Sequence, residues 1–287
     1  MNIKSIKQRA QDLLPGSQQK LRRIFLILML LELVKNIFPS EGNIFVKLIS
    51  IAVGIIFISV SHGYIVSSLK VVRHNEIALK DEDGWVGFTR FKELFSTYFL
   101  SALIVYAIGI ILALLFIIIS VIFFGTVFGG ILPGLSGSMN LTNAILSSAT
   151  NLFSIFVLYV LLVIIVIAVV VFIIQAYLFA APYLLERYQM YGWTAIKESF
   201  GFIKGHVLDL IKLQLSYFGW FVLQAFIVGM LSSLLQFIPI VGNLIAIGAG
   251  ALFAIYVFLP KYQLSLAIFF EEIAYYRYDH VKEESYE

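Results

Sequence analysis

The chain has 287 residues, of which 61% are hydrophobic and only 13% are charged, and its net charge is +3. A soluble domain is about 45–50% apolar and about 25% charged, so this composition excludes an ordinary water-soluble globule. The absence of cysteine excludes disulfides, thiolate chemistry and cysteine-based metal sites. Basic residues lie at the edges of apolar segments rather than in one patch, which argues against nucleic-acid binding.

The first 20 residues are predicted to form an amphipathic segment. Apolar side chains recur there on one helical stripe: Ile3, Ile6, Ala10 and Leu13. This pattern favours a short helix lying on an anionic membrane surface, and the alternative is a frayed polar tail. The pair Pro15-Gly16 predicts the end of that helix. The next apolar segment follows a basic stretch but has no small-x-small cleavage pattern, which indicates an uncleaved first span rather than a signal peptide.

The apolar segments predict an all-α, polytopic membrane protein with six transmembrane helices. From Leu94 to Leu185 no Asp, Glu, Lys, Arg or His occurs. One membrane crossing needs roughly 20 apolar residues, so this uncharged stretch is long enough for more than one crossing. The predicted membrane domain covers 21–270, and a cytoplasmic tail covers 271–287. Its spans lie roughly at 21–38, 44–69, 95–130, 149–181, 207–236 and 241–270.

The third and fourth spans are longer than a bilayer requires, so they are expected to tilt, bend or protrude. Glycines at 125, 129 and 130 are predicted to end or kink the third span. The segment 131–150, ILPGLSGSMNLTNAILSSAT, is predicted to be a polar, uncharged loop, either without regular structure or with a short helix.

The distribution of Lys and Arg predicts the orientation of the chain. With the N-terminus in the cytoplasm, all but two of the 20 basic residues fall on the cytoplasmic side, as the positive-inside rule requires. The two exceptions are Lys35 and Lys47. The sequence therefore predicts a multi-pass protein with both termini in the cytoplasm.

Two similar stretches precede apolar segments: GWVGFTRFK (84–92), the first elbow, and GWTAIKESFGFIK (192–204), the second elbow. Both are predicted to lie at the cytoplasmic interface, where indole rings and basic side chains suit the headgroup region. The residues concerned are Trp85, Arg90, Lys92, Trp193, Lys197 and Lys204. The order span, elbow, span occurs twice, which predicts a parallel pseudo-twofold repeat of spans 2–3 and 4–5. The alternative is coincidence.

The second elbow and the last span carry a resemblance to a known family. AIKESFGFIKGHVLDLIKLQLSYFGWFVL (195–223) and FLPKYQLSLAIFF (258–270) resemble the bacterial integral membrane proteins grouped as domain-of-unknown-function family 975. SIKQRAQDLLPGS (5–17) and GFTRFKELF (87–95) fit the same family. Lys261 departs from it, since an aromatic residue is common there, and the 131–148 segment has no match. The resemblance implies a polytopic protein of the bacterial cell membrane, and it implies no catalytic residue because the family has no agreed activity.

Four polar side chains are candidates for intramembrane roles. Glu32 and Lys35 are three residues apart and share a helix face. They form either a functional pair, since ionisable groups at membrane depth are costly, or a pair at the outer end of the first span. Gln175 and Gln224 form either interhelical hydrogen bonds or the lining of a polar cavity, and they could meet if the two repeats face each other.

The remaining candidate site residues are two histidines with their neighbours and a stripe of small residues. His62 is interpreted as an interfacial hydrogen-bonding residue rather than a ligand. His206, Asp209 and Lys212 are spaced for a ladder of ion pairs at the start of the fifth span. Small residues recur every fourth position in the last span, which predicts close helix packing within the fold or between copies: Gly242, Ala246, Gly250 and Ala254.

The sequence lacks a phosphate-binding glycine loop, HExxH, GxSxG and an Asp-rich cluster. We therefore predict no catalytic residue, metal or cofactor. The favoured hypothesis is a non-enzymatic membrane protein that binds membrane lipids, a membrane-protein partner or a second copy, in an accessory, scaffold or immunity-type role. The alternative is a small transporter or channel with a polar path between the repeats. A membrane enzyme would require three ionisable groups to converge at the inner face.

Overall fold

The computed structural model describes residues 1–37, 44–74, 78–135, 141–238 and 241–279. Every regular element in these ranges is helical, as the sequence predicts. The α-helices are α1 (Ile3–Ile37), α2 (Ile44–Ile56), α3 (His62–Val72), α4 (Val86–Thr89), α5 (Phe91–Leu135), α6 (Leu141–Leu178), α7 (Ala181–Tyr188), α8 (Gly192–Ile203), α9 (Val207–Leu215), α10 (Phe218–Leu234), α11 (Val241–Val257) and α12 (Leu259–Ala274). A 3₁₀ turn, Asp81–Trp85, precedes α4, and a π-helical turn, Tyr275–Asp279, follows α12.

Two helical segments are long and apolar enough to cross a membrane: Phe91–Phe123 and Ser154–Tyr188. Their most apolar windows have mean hydropathies of 3.2 and 3.7, and no part of either window is buried within the protein. Two bent pairs, α9 with α10 and α11 with α12, bring the number of candidate spans to four. The protein is thus an all-α, polytopic membrane protein, while the six-span count and the repeat stay predictions.

Three of the predicted spans are interrupted in the structure. We call these interruptions the first break (57–61), the second break (216–217) and the third break (258). The helices bend by 46° at the second break and by 59° at the third. Pro260 lies in the first turn of α12, a position where its fixed φ and missing N–H start a new helix rather than continue the previous one.

Burial changes sharply across these breaks. No residue of α2 or α10 is buried, whereas most of α3 and α12 is buried. The largest fully buried side chains include Phe25, Phe202 and Phe270. We call the well-packed region the base; it comprises α3, α7, α8, α9, α12 and the first part of α1. It belongs to a compact unit made of Met1–Ser101 and Ala176–Glu287, and Ala102–Gln175 forms a second unit.

Two predictions about the N-terminal helix are wrong. α1 continues through Pro15 to Ile37, so the prediction that Pro15-Gly16 ends the first helix is wrong. Ile6 and Ala10 before the proline and Leu21 after it are fully buried, so packing on both sides offsets the local cost of the proline. The stripe is covered by the protein, with α1 packed on α12, and does not lie on a membrane surface.

In the second unit, the described part of the predicted outer loop is helical. α5 continues past Gly125, Gly129 and Gly130 to Leu135, and α6 begins at Leu141, so 131–135 and 141–150 are helical, and 136–140 lie outside the described residues. A glycine costs a helix about 1 kcal/mol relative to alanine. In hydrocarbon, an opened backbone would leave N–H and C=O groups without partners, at a higher cost.

Candidate functional site

The first elbow packs directly against the first break. A Cβ atom added to Gly87 would lie 2.5 Å from the carbonyl oxygen of Ser59, so only glycine fits this approach. The Ser59 hydroxyl donates to the Gly87 carbonyl oxygen at 2.8 Å. This contact fixes the turn that precedes His62, the first residue of α3.

The second elbow packs against the start of α5. The backbone N–H of Gly192 donates to Oγ1 of Thr97 at 2.8 Å, and Gly192 has a φ of +57°, a conformation that favours glycine. The two elbows therefore hold α3, α5 and α7 together, although these helices are distant in the sequence.

A buried histidine lies where these three helices meet. His62 is fully buried; its Nδ1 is 3.0 Å from the Tyr98 hydroxyl and its Nε2 is 3.0 Å from Oε2 of Glu186. An ionised carboxylate can only accept hydrogen bonds, so Nε2 carries a proton and donates to Glu186. In the neutral ring Nδ1 accepts from Tyr98.

Arg90 of the first elbow completes this arrangement. Its Nη1 donates to Oε2 of Glu186 at 2.8 Å, and its Nε donates to Oε2 of Glu93 at 2.9 Å. We call these five residues the His62 cluster: His62, Arg90, Glu93, Tyr98 and Glu186. The Glu186 carboxylate accepts one hydrogen bond from a histidine and one from an arginine, so two donors satisfy one partly buried charge.

Two cavities open in the base beside this cluster. The smaller has a volume of about 230 Å³ and is lined by Val66, Leu69, Lys70, Arg73, Glu186 and Arg187. The larger, about 640 Å³, shares Arg73 and Arg187 with it and is otherwise lined by Arg9, Val72, Glu271, Glu272, Tyr275, Tyr276 and Asp279. Two arginines, Arg73 and Arg187, therefore line both cavities.

The family comparison covers almost the whole chain. A family model described as Protein of unknown function (DUF975) matches residues 1–276. The chain belongs to this family. The match confirms the resemblance given by the elbows and the last span. No curated protein and no solved structure matches this DUF975 protein.

Of the predicted elbow residues, Arg90 alone enters the His62 cluster. Trp85 and Trp193 are 47% and 63% exposed, as rings placed at a headgroup region would be. The remaining three elbow residues are also exposed: Lys92, Lys197 and Lys204. The elbows of this DUF975 protein thus combine exposed aromatic and basic side chains with backbone contacts that position the cluster.

None of the four predicted intramembrane residues is a member of the His62 cluster. Glu32 is exposed on α1, and Lys35 lies on the same helix with a side chain outside the described residues. Gln175 is exposed in the second unit, and Gln224 is partly buried in the first. The aliphatic part of Gln224 packs near Gly250 of α11, the arrangement expected of a helix-packing residue.

The small-residue stripe faces α10. Gly242, Ala246, Gly250 and Ala254 are buried along one side of α11. A Cβ atom at Gly250 would contact Cγ2 of Val228, and one at Gly242 would contact the Leu235 carbonyl. In this DUF975 protein the stripe therefore packs within the fold.

The ladder at the start of α9 is present. Asp209 lies 3.9 Å from His206 and 3.8 Å from Lys212, and it also accepts a hydrogen bond at 3.1 Å from the N-terminal amine of Met1. Among the described residues, no group of three or more His, Cys, Asp or Glu side chains could hold a metal ion.

A lysine from α1 lies at the second break. The Lys7 ammonium donates to the Ser216 carbonyl at 3.4 Å and lies 4.5 Å from the centre of the Tyr217 ring. Burial, and secondly the nearby Lys261 ammonium, hold the pKa of Lys7 below its ordinary value. The contact satisfies a carbonyl at the end of α9 that has no partner within the helix.

Sequence reasoning missed four residues of this region: Arg73, Tyr98, Glu186 and Arg187. Glu186 and Arg187 did carry a signal, because they are the first charged residues after the charge-free stretch. No sequence pattern pointed to Tyr98, since tyrosines are frequent in this chain. The proximity of Glu186 to His62 depends on the packing of both elbows, which no local pattern indicates.

Proposed function

We propose that this DUF975 protein is a non-enzymatic protein of the bacterial cell membrane that acts by binding lipid or a partner membrane protein. One observation carries the proposal: a single unit combines apolar helices without buried residues, α2 and α10, with a base that contains two cavities with charged walls. Exposed apolar helices suit contact with lipid tails or other helices. Cavities with charged walls suit a polar headgroup or a polar segment of a partner.

The His62 cluster is the strongest argument for an enzyme, since three ionisable groups converge there: His62, Arg90 and Glu186. Two features favour a structural role instead. His62 is fully buried and both of its ring nitrogens are occupied. Glu186, which also lines the smaller cavity, accepts from both donors through the single oxygen Oε2, so it serves as the acceptor that joins their helices. A general base needs a free position facing its substrate.

We further propose that the base faces the cytoplasm, with both termini on that side. The basic side chains of the elbows, of α3 and of α1 support this orientation, because cytoplasmic segments of membrane proteins are enriched in Lys and Arg. The exposed Trp85 and Trp193 rings support an interfacial position for both elbows.

The experiment that tests the proposal is affinity purification from native membranes, with identification of both lipids and proteins that co-purify. We expect a reproducible lipid class or protein partner that is absent from a mock purification. Recovery of nothing beyond the mock purification would contradict the proposal. Solute flux into proteoliposomes that Glu32→Gln abolishes, with unchanged amounts of folded protein, would favour a transporter instead.

A further inference from the structure

The smaller cavity is lined by one cation, Arg73, that has no acidic partner among the described residues. Its charged lining residues are three basic side chains and one acid: Lys70, Arg73, Arg187 and Glu186. The acid already accepts hydrogen bonds from His62 and Arg90. We propose that this cavity is a binding site for the phosphate of an anionic headgroup, an inference that rests on the proposed lipid-binding function.

Arg73 is the residue best suited to bind such a ligand. It lines both cavities and is exposed, and within the described part of the chain its guanidinium has no hydrogen bond or ion pair. An arginine fork matches the oxygens of a phosphate in a bidentate arrangement. No acid among the described residues pairs with Arg73, so none of them competes with a phosphate for its guanidinium.

The other two cations are held in place by the protein. Lys70 donates to Oδ1 of Asp83 at 2.6 Å and to the Ala78 carbonyl at 3.0 Å. Arg187 pairs with Glu271 and Asp279. Positioned donors lose little conformational entropy when a ligand binds. These two side chains therefore contribute N–H groups in fixed positions, with their charges offset by their acidic partners, while Arg73 supplies the free donors.

The sizes of the cavities favour a headgroup over a whole lipid. Sites for drug-sized molecules usually measure about 300–1,000 Å³, and the smaller cavity, about 230 Å³, is below that range. The larger cavity adjoins it through Arg73 and Arg187 and measures about 640 Å³. Its charged lining is balanced, with three arginines and three acids, so the phosphate belongs in the smaller cavity and an uncharged polar portion in the larger.

The test is a native mass-spectrometry titration of the full-length protein in a neutral detergent. The probes are phosphatidylglycerol, diacylglycerol with the same tails but no phosphate, and inorganic phosphate as a competitor. The variants are Arg73→Gln, Arg73→Lys and a matched control, Arg23→Gln. Arg23 is a surface arginine 3.3 Å from Asp81 that lines neither cavity.

We expect one tightly bound phosphatidylglycerol, no tight diacylglycerol, and about tenfold weaker phosphatidylglycerol binding in Arg73→Gln. Arg73→Lys should bind with intermediate affinity, and Arg23→Gln should match the wild type. If millimolar phosphate competes with phosphatidylglycerol, the site recognises the phosphate alone. If millimolar phosphate does not compete, the site also requires the attached lipid. Either result supports the site. Equal binding by Arg73→Gln and the wild type would overturn the site while leaving lipid binding intact. Absence of any bound lipid or phosphate would overturn both.

Discussion

The Nε2 atom of His62 lies 3.0 Å from Oε2 of Glu186, a residue 124 positions further along the chain. This contact joins the start of α3 to α7, and Arg90 adds the start of α5 through the same carboxylate oxygen. A buried histidine, a carboxylate and an arginine thus link three helices that the two elbows bring together.

Glu186→Gln is expected to destabilise the protein by about 2 kcal/mol, because His62 and Arg90 lose the charged acceptor that they share. Glu93→Gln is the matched control: it removes a carboxylate from the same arginine, but that side chain is 52% exposed and its loss should cost well under 1 kcal/mol. Thermal unfolding in detergent measures both. Equal melting temperatures for the two variants would show that the His62 cluster does not hold the helices together.

Gly87→Ala should destabilise the protein by about 2 kcal/mol or more, because the new Cβ would lie 2.5 Å from the Ser59 carbonyl at the first break. Gly219→Ala, on α10, is the control, since nothing lies within 4 Å of its Cβ position; it should be neutral or slightly stabilising. Chemical denaturation in mixed micelles measures the difference. A neutral Gly87→Ala would mean that the first elbow does not pack against the break.

Gly250→Ala should weaken the packing of α11 on α10 by about 1–3 kcal/mol, because the added methyl group would contact Cγ2 of Val228. Val228→Ala opens this space, so the double variant should recover at least 0.5 kcal/mol relative to additive effects. A double-mutant cycle of unfolding free energies measures this coupling. Strict additivity would show that the small-residue stripe packs elsewhere.

The features that the sequence predicted well are those that depend on composition along the chain. The charge-free stretch from Leu94 to Leu185 directly predicts membrane helices, and the structure contains them in Phe91–Phe123 and Ser154–Tyr188. The residues of the second elbow and of the last span were enough to identify the family correctly.

The features that were predicted wrongly depend on tertiary packing or on the solvent. Pro15 usually ends a helix in water, yet the buried residues Ile6 and Leu21 on either side hold α1 together. The segment 131–150 has the composition of a loop, but most of it is helical. For His62 the sequence correctly predicted a hydrogen-bonding role, but it did not identify the partner Glu186, which becomes its neighbour only when both elbows are packed.

Single-cysteine labelling tests the central claim, that apolar helices lie in the membrane with the base in the cytoplasm, most directly. The native chain has no cysteine, so each introduced thiol is unique. We predict that a membrane-impermeant maleimide labels Ser138→Cys in intact cells, and that it labels Lys197→Cys, on the exposed face of α8, only after permeabilisation. Labelling of Lys197→Cys in intact cells, with Ser138→Cys protected until permeabilisation, would contradict the account.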